Sequence, residues 1–267
     1  MLKKRLIPCI LVRDGLLVQS IKFSRYLPIG KPKIAIEYFN RWDVDEIIIL
    51  DITPNKNDDE TLINLTEHIS KIAFVPLTVG GGIKSTEDIS KLLKAGADKV
   101  SINSYAVLKP ELVTEASQIF GSQDIVVSID VKMNTTEKYE VCISGGKEKT
   151  GLDPVKWSKR VEDLGAGEIL LNSIDRDGMK NGYDLKLIRS VVESVNIPVI
   201  AIGGAGKITD IPLAITEGHA DAVAASNIFQ YLEHSTIQAK AAMKNVGINV
   251  RIGTKANYSS KLLHTLL

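Results

Sequence analysis

The stretch "VPLTVGGGIKSTEDISKLLKAGADKVSINS", residues 75–104, decides the fold because the chain contains it twice, the second copy being "IPVIAIGGAGKITDIPLAITEGHADAVAASN", residues 197–227. Pro76 falls on Pro198, Gly81 on Gly203, Gly82 on Gly204 and Gly96 on Gly218 at a constant offset of 122. After one inserted residue, Asp98 falls on Asp221 and Asn103 on Ser226. Each copy reads as an apolar strand, a glycine turn, an amphipathic helix and a second short strand. The offset of 122 also lays Glu46-Ile-Ile-Ile on Glu168-Ile-Leu-Leu, and an offset of 119 lays Ile10-Leu11-Val12-Arg13 on Ile129-Asp130-Val131-Lys132. Four strands of the first half therefore match four of the second. Between them lie amphipathic segments, so the chain is a series of βαβ units, and the near-continuous apolar character of the strands means a parallel sheet covered on both faces. Two copies of (βα)4 predict an α/β fold, a (β/α)8 TIM barrel over residues 1–252 with half-barrels at about 1–122 and 123–252. Residues 253–267 are expected to form a C-terminal tail. A doubly wound open sheet is the alternative, but it does not require the doubling.

The 267 residues include 33 Lys plus Arg and 32 Asp plus Glu, for a net charge of +1. That balance gives no electrostatic footprint for nucleic acid or an anionic membrane, and favours a small-molecule or protein partner. Cys9 and Cys142 stand in apolar strands without CxxC spacing, which suits core positions in a reducing cytoplasm. Pro8 and Arg13 interrupt the N-terminal apolar run, so neither a signal peptide nor a membrane span is expected. His68, His219, His234 and His264 show no ligand spacing, and no metal or cofactor is expected.

In such barrels chemistry sits at the C-terminal ends of the strands. There "VGGG" (79–82) and "IGGAG" (202–206) expose backbone N–H groups ahead of a helix, and "SINS" (101–104) and "AASN" (224–227) follow one strand later. The pattern predicts one phosphate site in each half and hence an elongated bisphosphate ligand. Strand-end carboxylates are Asp51, Asp130, Asp175 and Asp177. The last two also suit a simple turn before Gly178, whereas no turn signal follows Asp130 at once, which makes it the stronger acid–base candidate. At the opposite ends Arg5, Glu46, Lys99 and Glu168 each precede an apolar run, two cations and two anions fit for a salt-bridged plug or a gate.

These residues, with "KRLIPC", "LDIT", "TVGGGI", "AGADKVSIN", "GAGEILLNSIDRDG", "GGAGK" and "NVR", resemble the cyclase subunit of imidazole glycerol phosphate synthase from Met1 to about Ile252. The resemblance implies a heterodimer in which a glutaminase docks beneath the barrel. Ammonia would pass a gate of Arg5, Glu46, Lys99 and Glu168, and a bisphosphate ribonucleotide would be cyclised above. It also implies phosphate contacts at Gly82, Asn103, Ser104, Asp177, Gly203, Gly204, Ala225 and Ser226, with Ser144 and Gly145 nearby. Two catalytic aspartates of the family fall on positions 11 and 130, and position 11 is leucine. Gln19 stands for the family's loop lysine, Asn172 and Met179 for two threonines. The retained parts are those of an ammonia conduit. The resemblance extends to cyclase-like paralogues that serve an ATP-dependent sugar amidotransferase in surface-polysaccharide (amidino sugar) biosynthesis, which is the leading expectation. A true cyclase of histidine biosynthesis and a non-conducting scaffold for the glutaminase are the alternatives.

Overall fold

The computed structural model describes residues 3–54, 60–231 and 235–252. The expected tail and His234 and His264 lie outside them. Eight parallel strands close a barrel: β1 (Arg5–Arg13), β4 (Ile47–Asp51), β5 (Leu77–Gly80), β6 (Lys99–Ile102), β7 (Ile125–Met133), β10 (Glu168–Ser173), β11 (Val199–Ile202) and β12 (Ala222–Ala225). β12 pairs with β1 and β10 with β7, so no edge is left open. Two antiparallel hairpins are inserted after the first strand of each half. One is β2 (Leu16–Ile21) with β3 (Arg25–Gly30), the other β8 (Tyr139–Ile143) with β9 (Glu148–Lys149). Their parent strands β1 and β7 are nine residues each, twice the length of β5 or β11, because they run past the barrel rim to pair with the hairpins. Arg13 thus belongs to β1 and not to the turn beyond it. Asp14 and Gly15 make the turn, both with positive φ, the geometry a two-residue hairpin needs.

Helices cover the outside: α1 (Pro32–Phe39), α2 (Glu60–Ser70), α3 (Thr86–Lys94), α4 (Ser104–Leu108), α5 (Glu111–Phe120), α6 (Pro154–Asp163), α7 (Leu185–Val192), α8 (Asp210–Thr216), α9 (Ile228–Tyr231) and α10 (Ser235–Asn245). Side chains alternate across a strand, so each barrel strand feeds two separate apolar clusters. Leu6, Ile10, Val12, Ile47, Ile49 and Val127 pack outward under the helices. Ile7, Cys9, Leu11, Ile48, Val126, Leu170, Ile200 and Ile202 pack inward and fill the lumen, with Ala222 and Ala224. Each large aliphatic side chain so buried contributes about 1.5–3 kcal/mol. Both cysteines are buried free thiols. Among the described residues no helix is long and apolar enough to cross a membrane.

Candidate functional site

Because alternate residues of a strand point inward, one column of β1 reads Arg5, Ile7, Cys9, Leu11, and one of β10 reads Glu168, Leu170, Asn172. The charged ends meet at the bottom of the lumen. Arg5 Nη1 lies 2.7 Å from Glu46 Oε2 and 3.1 Å from Glu168 Oε1, and Lys99 Nζ lies 3.2 Å from each of the same two oxygens. Thr78 Oγ1 donates to Glu46 Oε1 at 2.6 Å. Four charges thus alternate in a closed ring, the arrangement that offsets the several kcal/mol per ion of desolvation. Above it the lumen is lined by Ile7, Ile48, Val126, Leu170, Ile200 and Ala222, while β5 and β6 contribute the buried polar side chains of Thr78 and Ser101.

At the other end opens a cavity of about 1390 Å³. It is lined by every residue expected to contact phosphate and by both aspartate positions, namely Leu11, Gly82, Asn103, Ser104, Asp130, Ser144, Gly145, Asp177, Gly203, Gly204, Ala225 and Ser226, but not by Gln19, Asp175 or Met179. Gly81 (φ +123°) and Gly203 (φ +97°) bring the two glycine turns against the neighbouring strand, where a Cβ would stand 2.2 Å from Asp51 O and 2.8 Å from Asn172 Oδ1. The two halves are built alike here. Lys84 N–H and Ser85 N–H donate to Asp88 Oδ2, as Gly206 N–H and Lys207 N–H donate to Asp210 Oδ2, so these carboxylates occupy amides just ahead of α3 and α8. The glycine amides before them, Gly81 and Gly82 in one half and Gly203 and Gly204 in the other, line the cavity. Ala225 brings only backbone, its methyl being buried in the outer cluster. Ser104 Oγ donates to Asn103 Oδ1 and accepts from Ser144 N–H, which ties the β8–β9 hairpin to the rim.

Asp130 lies opposite Asn172 in the β7–β10 ladder and accepts a hydrogen bond from Asn103 Nδ2 at 3.1 Å. Burial, and then the charge of Asp177, push its carboxyl up to about 7 against the single opposing bond from Asn103, the range that suits a general acid or base at neutral pH. Its counterpart, Leu11, is 8% exposed and sits among the lumen aliphatics, with Tyr26, Leu50 and Ile52 packed on the same cluster. The nearest strand-end carboxylate on its side is Asp51 of β4, which pairs with Val12 and also lines the cavity. Arg13, two residues on, stacks over the Tyr26 ring at 4.7 Å.

Asp177 holds the first hairpin. Its Oδ2 accepts from Ser20 Oγ at 2.6 Å and from Phe23 N–H at 3.2 Å, while Lys22 N–H donates to its carbonyl. Asn227 Nδ2 donates to Ser20 O. Asp175 accepts from Met133 N–H, so it too fastens backbone, the turn-shaping alternative that its sequence context allowed. Tyr26 and the inward column of each strand were not singled out from sequence, and Asn227 stood there only as the last residue of the "AASN" stretch. The period-two alternation along each strand carries the signal for the column, whereas Tyr26 and Asn227 reach the mouth only through the hairpin's docking.

A closed ring of eight parallel strands under a shell of helices, with a charged ring at its base and glycine turns at its mouth, defines the (β/α)8 barrel class. Residues 5–234 match the histidine biosynthesis protein family, and the chain belongs to it. It is 49% identical over 261 residues, 97% of its own length and 95% of the relative's, to a Vibrio vulnificus (strain YJ016) protein provisionally described as imidazole glycerol phosphate synthase subunit hisF2. It is 45% identical over 251 residues, 94% of its length and all of the relative's, to imidazole glycerol phosphate synthase subunit HisF of Alkaliphilus metalliredigens (strain QYMF).

Proposed function

We propose that this barrel receives ammonia from a docked glutaminase at the Arg5, Glu46, Lys99, Glu168 ring and passes it through the apolar lumen to the mouth, while its own ring-closing chemistry is disabled. Leu11 carries this reading. Cyclisation in the family it resembles uses a carboxylate on each side of the mouth, and this chain keeps one. A positioned acid or base is worth about 10² to 10⁴ in rate. The retained cradles support binding of a phosphorylated ligand, and the consumer of the ammonia is an ATP-dependent sugar amidotransferase of surface-polysaccharide synthesis. Docking beneath the barrel is supported by exposed apolar side chains on that face: Phe74 ahead of β5 at 83% exposure, Ile119 in the last turn of α5 at 62% and Val246 after α10 at 56%.

The second reading is the cyclase of histidine biosynthesis. The names of both relatives favour it over the first, as does Asp130 with its carboxyl near 7. One assay separates the two: the bisphosphate ribonucleotide is supplied with ammonium salt, so that glutaminase coupling plays no part. The conduit reading expects turnover at least about 10²-fold below that of the Alkaliphilus relative, and little recovery in Leu11→Asp because residues acting as a unit are not repaired singly. Turnover equal to the relative's establishes the cyclase instead.

A further inference from the structure

We infer that α10 and the segment after it form a clasp that sets the Arg5–Glu46 half of the charged ring, with Lys240 as its positioning residue. Lys240 is completely buried on α10, and its Nζ lies 2.9 Å from Asp45 Oδ1 and 3.5 Å from Asp43 Oδ2. An ammonium is put out of reach of water only where carboxylates compensate it. Asp45 does more than neutralise it. Its other oxygen, Oδ2, accepts from Leu6 N–H at 2.9 Å, and its own N–H donates to Leu6 O at 3.2 Å. One turn earlier on α10, Thr236 Oγ1 donates to Trp42 O. Beyond the helix the chain returns to β1, where Lys4 N–H donates to Asn249 O at 2.9 Å and Lys4 bridges Val250.

The residue before Arg5 and the residue before Glu46 are therefore both held by the same C-terminal arm, and Arg5 and Glu46 make the shortest ion pair of the ring. Two adjacent strands enter the ring through backbone that α10 staples. The arm presents Val246, exposed just after α10 at the base of the barrel, so a protein docking there touches the clasp itself. A partner that shifts α10 shifts Asp45 and, through Leu6, the Arg5–Glu46 contact.

For its functional readout this inference rests on the ammonia-entrance reading, and a second readout does not. In the full-length barrel alone, Lys240→Met leaves Asp45 charged and uncompensated. Amide hydrogen exchange should then accelerate by about tenfold or more across residues 4–7 and 44–47. Acceleration confined to α10 overturns the clasp. With the cognate glutaminase, the same variant should lower kcat for stimulated glutamine hydrolysis by about tenfold while KM and the docking Kd stay within about threefold. Adding Asp45→Asn, which removes the stranded charge and keeps an acceptor for Leu6 N–H, should restore kcat. An unchanged kcat, or a loss that follows Kd or thermal stability alone, makes Lys240 merely structural. If the wild-type barrel fails to stimulate the glutaminase, the entrance reading falls, and the exchange data alone decide the clasp.

Discussion

At the scale of single residues the mouth turns on Asp130. Its folded carboxyl is raised from 3.8 to about 7, so between those values the native protein holds a proton that the unfolded chain has released. That contribution to stability is complete below the unfolded value and is lost as pH rises through about 7. Three units correspond to an upper bound of about 4 kcal/mol. Asp130→Asn, which keeps an oxygen for Asn103 Nδ2, should therefore melt close to wild type at pH 4 and well above it at pH 8. A constant difference between the two pH values would contradict the burial of Asp130 as a charge. That Asp130 ends an apolar strand was legible in the sequence, and so was its contrast with Leu11 at the matching position, because the two halves align. The pairing of Asp177 with Ser20, and of Asn103 with Asp130, was not, since each joins residues far apart in sequence that no periodicity links.

Among the elements, the β2–β3 hairpin has the least support of its own. β3 pairs only with β2 and shows mostly exposed side chains, with Leu27 and Ile29 facing solvent. Its position over the cavity depends on Asp177, whose carboxylate accepts two hydrogen bonds from it. Bonds to a charged acceptor are worth about 1.5–3 kcal/mol each. Asp177→Ala should release the hairpin and speed tryptic cleavage after Lys22 or Arg25 by about tenfold or more, with the barrel's circular dichroism unchanged. Equal cleavage rates would place the hairpin's anchorage elsewhere, at Asn227 or at Phe23 against Gly146. In the sequence only the Asp14-Gly15 pair announces the hairpin, for its second strand carries Pro28 and little alternation. The barrel strands, by contrast, were readable because burial on both faces leaves them nearly pure runs of Ile, Leu, Val and Ala.

For the molecule as a whole the charged ring is the costliest feature and the least replaceable one residue at a time. Lys99→Met leaves Glu46 and Glu168 to share Arg5, and breaking a buried pair costs about 3–5 kcal/mol. The variant should melt roughly 10 °C lower. Adding Glu168→Gln should recover much of that, because the stranded charge goes with it. If Lys99→Met melts unchanged, the ring is solvated and no barrier to ions. The ring itself was anticipated from four charges standing before four apolar runs. Its closure required the barrel's curvature, which brings β1, β4, β6 and β10 to a common axis.

The partition of each strand between lumen and outer shell has a consequence for epistasis. Leu11 and Val12 are neighbours in the chain but lie on opposite sides of the sheet wall, in clusters that share no side chain. Leu11 and Ile202, distant in the chain, share the lumen. In a double-mutant cycle Leu11→Ala and Ile202→Ala should couple by about 0.5 kcal/mol or more, whereas Leu11→Ala and Val12→Ala should combine within about 0.5 kcal/mol of additivity. Under that rule the lumen side of the wall drifts without asking the shell to follow. A catalytic carboxylate could give way to leucine on one side while the helices on the other kept their seats, so a barrel of this build changes its chemistry far more readily than its shape.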